Sequence, residues 1–191
     1  VYLVVNIILH NQFYIIYQYI SNNQITMRNT LCLIFAFFLF HAAAMAQEPA
    51  NMKGMTERHN FWRAKLGIAP LTWSNELAKY AQNWANELAA KGCELEHSNG
   101  QYGENIYWYS ATVKNTQQVV DSWASEAKFY DHNRQVCKGS WDKCGHYTQV
   151  IWENTTQVGC AKVTCESGAE IWVCAYDPAG NMDGEKAYKK K

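Results

Sequence analysis

Between residues 55 and 66, Met55, His59, Trp62 and Leu66 fall near a 3.6-residue period and predict a helix, with Thr56 as its cap and Gly67 and Pro70 closing it. A second helix is more clearly amphipathic. Ser74 is its cap, Leu77, Tyr80, Ala81, Trp84 and Leu88 form an apolar stripe, and Gly92 ends it. The polar, glycine-punctuated run 96–105 then predicts a loop, and Ile-Tyr-Trp-Tyr at 106–109 a short strand. Helical spacing returns over 116–130, where Val119, Val120, Trp123, Ala127 and Tyr130 face inward and Glu126 lies beside that face, partly buried.

Residues 138–143 predict a loop bracketed by Cys137 and Cys144. The stretch 145–161 begins with a histidine beside a glycine, continues as a bulky apolar run and closes on Cys160, which predicts a packed segment presenting one polar group. Residues 159–164 and 170–176 predict two strands joined by a turn at 166–169, and 177–181 a loop. The final Tyr-Lys-Lys-Lys predicts a solvated tail. Helices precede strands rather than alternating with them, so the expected class is α+β with an antiparallel sheet.

Charge adds an exclusion. With 17 basic and 17 acidic side chains among 191 residues, nothing draws the chain toward nucleic acid or an acidic membrane. The N-terminal quarter changes the domain picture. Met27-Arg28 followed by an apolar run over 31–40 and a small-x-small end at Ala44 and Ala46 has the parts of a secretory signal peptide, cleaved after Ala46. Residues 1–26 then stand as an over-extended N-terminus, 27–46 as the signal, and 47–191 as one domain ending in a short basic tail. The apolar run is too short for a transmembrane span, so the mature chain carries none.

Cys32 leaves with the signal; Cys93, Cys137, Cys144, Cys160, Cys165 and Cys174 remain, an even set that predicts oxidised pairs in an exported chain. A zinc site from Cys137, Cys144 and His146 is the alternative, and its spacing fits no common zinc pattern. Asn154-Thr155-Thr156 matches an N-glycosylation acceptor.

Four polar residues stand out for chemistry: His97, Glu104, Glu126 and His146. If they converge, two imidazoles can hold a divalent ion such as zinc while a carboxylate acts as base or orients water. The same four can instead form a buried network in which each carboxylate orients one histidine.

Four ordered motifs carry a resemblance. They are Gly145-His-Tyr-Thr-Gln-Val-Ile-Trp152 with Val158-Gly-Cys-Ala161; Val173-Cys-Ala-Tyr-Asp-Pro-Ala-Gly-Asn181; His97-Ser98 with Gly103-Glu-Asn105; and Trp123-Ala-Ser-Glu126. From about Met55 to Tyr188 the chain resembles the CAP superfamily of cysteine-rich secretory, antigen 5 and group-one pathogenesis-related proteins. The resemblance implies a three-layer α-β-α sandwich with a small antiparallel sheet. It implies that His97, Glu104, Glu126 and His146 form a cleft tetrad, and pairings Cys93–Cys165, Cys137–Cys144 and Cys160–Cys174. Ala175 and Ala187 depart from the plant pattern, where Asn and Pro are frequent, which puts release of a C-terminal peptide after Asp177 in doubt. The further cysteine-rich domain of venom relatives is not expected.

The expected function is that of a secreted, monomeric, non-catalytic binding or defence module, periplasmic if the source is a Gram-negative bacterium. Its ligand would be a sterol, another lipid or an extracellular protein, and its cleft could take a divalent cation without requiring a cofactor. The alternative is a metal-dependent hydrolase or protease in which Glu104 or Glu126 is ligand or base; no His-Glu-x-x-His helix supports it.

Overall fold

Alternation along the strand Glu170–Asp177 organises the molecule. Trp172, Cys174 and Tyr176 enter one hydrophobic core, while Ile171, Val173 and Ala175 enter another, so both faces of the central strand are covered. The structure, a computed structural model, describes residues 46–111 and 115–189. The expected leader, Cys32 and the last two lysines lie outside the described residues.

The helices are α1 (Met55–Ala64), α2 (Asn75–Ala90), α3 (Thr116–Ala124) and α4 (Gly145–Val150). The strands are β1 (Thr72–Trp73), β2 (Gly103–Tyr109), β3 (Tyr130–Asp131), β4 (Val136–Cys137), β5 (Gln157–Thr164) and β6 (Glu170–Asp177). The main sheet runs β1-β5-β6-β2, antiparallel except for the short β1–β5 pairing, and β3 and β4 form a separate two-stranded ribbon. Helix α2 covers one face through Leu77, Ala81, Ala85 and Leu88. Helices α1, α3 and α4 pack together, and Met55, Val119, Trp123 and Val150 share the core on the other face. This is the α-β-α sandwich.

Gly159 shows how closely these layers meet. A Cβ there would lie 2.2 Å from Ala78 N and 2.4 Å from Ser74 O, inside the first turn of α2. Disulfides join Cys93 to Cys165, Cys137 to Cys144 and Cys160 to Cys174. The last spans directly paired positions of β5 and β6.

Several elements differ from expectation. The helix predicted over 116–130 is α-helical only to Ala124, then tightens into a 3₁₀ turn, Ser125–Phe129, and enters β3. Ser125 Oγ donates to Ser122 O (2.7 Å), a local bond that competes with the helical ladder. Thr56 does not cap α1; the Glu48 carboxylate accepts from the Gly54 and Thr56 N–H groups, and Gly54 is the N-cap. Tyr188 and Lys189 are not part of a free tail. Tyr188 is buried, its hydroxyl 2.9 Å from His132 Nδ1, and Lys189 N donates to Glu153 Oε2 (2.7 Å). An aromatic ring gains more from that crevice than from water.

Candidate functional site

The site rests on α4, and α4 is held from both ends. At its start, Glu126 Oε2 accepts from His146 N (3.0 Å) and Tyr147 N (3.2 Å), two of the N–H groups a helix leaves unpaired. The 3₁₀ turn places Glu126 there. At the other end lies Arg63 of α1, fully buried, whose guanidinium donates to Val150 O, Trp152 O and Thr155 O at 3.2, 2.7 and 2.9 Å. Its Nε donates to Ala69 O (2.7 Å). A buried guanidinium is tolerable only with such a set of acceptors.

Each histidine is matched to one carboxylate. Glu126 Oε1 is 2.7 Å from His146 Nδ1, and Glu104 Oε1 is 2.6 Å from His97 Nδ1. An ionised carboxylate can only accept, so Nδ1 carries the proton in both rings and Nε2 is left as a lone-pair donor. Glu104 Oε1 also accepts from Ser98 N (3.1 Å), which fixes the His97 loop to β2. The Glu104 side chain is 6% exposed and that of His97 55%. The hydrogen bond to Glu104 raises the His97 pKa above its ordinary value, with burial opposing. Glu104 Oε2 is buried without a partner. The His146 ring lies nearly parallel to Trp123, centroids 6.4 Å apart.

His97, Glu104 and His146 line one recess of about 110 Å³ together with Asn105, Trp141, Asp142, Gly145 and Asn181. Glu126 stands behind His146 rather than in the wall. Among the described residues no three His, Cys, Asp or Glu side chains are grouped as a metal set, so any ion here would rest on two imidazoles and take its other ligands from outside them. Ser98 is a loop hydroxyl, accepting from Tyr80 Oη (3.0 Å) and Gly100 N (3.4 Å).

Beneath the recess runs a buried relay that the sequence did not reveal. His59 Nδ1 donates to Met55 O (2.8 Å), so its Nε2 accepts from Tyr176 Oη (2.8 Å). Asn105 Nδ2 donates to Tyr176 Oη (3.2 Å) and to His146 O (3.1 Å). Burial lowers the His59 pKa to about 4, keeping the ring neutral. Asn181 closes the wall, donating to Gly145 O (2.9 Å) and accepting from Thr148 Oγ1 (2.7 Å). The one available signal was polarity out of place: Asn105 sits in a strand, and His59 and Arg63 lie four residues apart on one helix face.

The model of the family described as "CAP: Cysteine-rich secretory protein family" matches residues 56–176. Pathogenesis-related protein 1C of Nicotiana tabacum is 46% identical over 132 residues, 69% of this chain and 77% of that protein. Pathogenesis-related protein PR-1 of Medicago truncatula is 41% identical over 171 residues, covering 82% of this chain and 98% of the relative. Among solved structures, BmVAL-1 superposes with a TM-score of 0.65 at 27% identity, covering 80% of this chain and 88% of that one. The crystal structure of NaASP2 with Zn2+ gives 0.63 at 26% identity, covering 78% and 90%.

Proposed function

Since the chain belongs to the CAP family of cysteine-rich secretory proteins, we propose that it is an exported, defence-type binding module whose cleft takes a divalent cation through His97 and His146. The observation that carries this reading is the paired orientation of the imidazoles: each Nδ1 is committed to a carboxylate, leaving Nε2 as the coordinating atom. Carboxylate–histidine pairs of this kind orient metal ligands and raise their basicity. The unpartnered Glu104 Oε2 beside them supplies negative charge to the same recess.

The donor set fits zinc as an open, partly hydrated site rather than a closed structural one. A bound ion would supply Lewis acidity and positive charge. The chain's own residues do the rest: Glu104 and Glu126 hold the ring protons, Asn105 and Asn181 fix the wall, and Trp141 borders the opening. Binding, rather than turnover, is favoured by the state of the carboxylates. Glu126 spends both oxygens on His146 and the α4 N-terminus, so it is not poised as a base. Hydrolysis is the second reading, with Glu104 Oε2 as base.

Calorimetric titration of zinc into the wild type and His97→Ala/His146→Ala decides the first point. Saturable binding lost in the double variant supports it; equal binding in both overturns it. Glu104→Gln should weaken zinc roughly 10–100-fold. Peptidase activity lost in Glu104→Gln would favour the second reading.

Export with cleavage after Ala46 is part of the proposal, giving a monomer that begins at Gln47 and whose partner is a sterol, another lipid or an extracellular protein. In support, Glu48, just past the expected cleavage point, is already tied to the start of α1. Intact mass of the protein collected from medium tests the cleavage, and displacement of a labelled sterol the ligand.

A further inference from the structure

A second recess, of about 320 Å³, lies between the β3–β4 ribbon and the segment after Asn181. Trp141 and Asn181 border both it and the tetrad recess, but none of the four tetrad residues lines it. Its rim is apolar and unusually exposed: Trp141 is 61% exposed, and Val136 and Met182 are exposed as well. Such side chains at the mouth of a concave surface lose water when something covers them.

The charged side chains that line it, Asp183 and Glu185, are both acidic, while Lys186 beside them is turned to Arg134 O (3.2 Å) and Gln135 O (3.5 Å). Exposed acids alone would be a solvated surface, but the wall also carries unmet hydrogen-bonding capacity. Tyr130, almost fully buried, and Gln135 are both lining residues, and Tyr130 Oη and Gln135 Oε1 are buried without partners. Gln135 Oε1 is an acceptor that lacks a donor. Burial pushes the Tyr130 hydroxyl up to about 12, so it stays neutral.

From this combination we infer that the recess binds a small aliphatic polyamine. Its ammonium groups would meet Asp183, Glu185 and the exposed Trp141 ring, its N–H groups would offer Gln135 the missing donor, and its methylenes would lie along Val136 and Met182. Cations prefer tryptophan faces among aromatic partners, and acidic rims hold cations in place. A neutral ligand would gain no charge attraction from the two carboxylates.

The test uses spermidine and, as a neutral chain of similar length, octane-1,8-diol, each titrated calorimetrically into the disulfide-intact protein. Spermidine should saturate one site, weaken with added salt, and bind roughly five- to tenfold less tightly to Asp183→Asn/Glu185→Gln. Both substitutions are at exposed positions, and melting temperature together with retained zinc binding checks that the variant is folded. Trp141→Ala should weaken spermidine as well. Absence of saturable binding, equal binding of the diol, or an unchanged affinity in the folded double variant would overturn the inference.

Discussion

His59 and His97 respond to pH in opposite directions because their surroundings differ. His59 is neutral in the fold with a pKa lowered to about 4, whereas the unfolded ring has a pKa near 6.5. The unfolded chain therefore binds the extra proton first, and the contribution of His59, up to about 3 kcal/mol, is present above pH ~6.5 and lost as pH falls toward ~4. Urea-unfolding midpoints between pH 4 and 7 should fall on acidification, and His59→Gln should flatten that slope. His97, raised by Glu104, behaves the other way: its contribution is full below the unfolded pKa and fades as pH rises through the folded one. His97, Glu104, Glu126 and His146 stood out at this scale because they occupy conspicuous places in recognisable motifs, and the structure pairs each histidine with one carboxylate. The relay was not: Tyr176 looks like one more strand aromatic, and nothing in a single sequence pairs it with residue 59.

Helix α4 is short, and its position depends on what holds its ends. Glu126→Ala removes two backbone acceptor contacts and the His146 partner, and should cost roughly 2 kcal/mol in chemical denaturation, with Glu126→Gln costing less because one oxygen remains. Arg63→Met should cost roughly 3–5 kcal/mol, since several buried carbonyls lose their donor at once. Here the sequence carried a signal that charge concealed. Met55, His59 and Arg63 recur every four residues and are the buried positions of α1, yet an arginine on a helix is ordinarily assigned to solvent. The break after Ala124 was hidden for a related reason: Ala127 and Tyr130 continue the helical period, and only the Ser125 hydroxyl bond marks the change. The ribbon β3–β4 and the two-residue β1 are too short to leave a periodic trace.

At the scale of the whole molecule, a four-stranded sheet buried on both faces carries two cores and leaves the cleft at the end where Glu104, Ala175 and Gly159 pair across it. The sandwich tolerates little change in layer spacing. Gly159→Ala should destabilise by about 3 kcal/mol or more, because its Cβ meets backbone rather than a movable side chain. Loss of Cys160–Cys174, closing 14 residues, should cost roughly 3 kcal/mol, read as a lower melting temperature. The class of fold followed from helices preceding strands and from motif order. The docking of Tyr188 did not, since a terminal Lys-rich run gives no hint that the tyrosine before it is buried. Cation binding in the cleft requires that both histidines present an unprotonated Nε2. Long-range proton–nitrogen NMR at alkaline pH reads it directly. The expected result is the Nδ1–H tautomer for His97 and His146 and a shift of both Nε2 signals when zinc is added. An Nε2–H tautomer at either residue, or Nε2 signals indifferent to zinc, would contradict it.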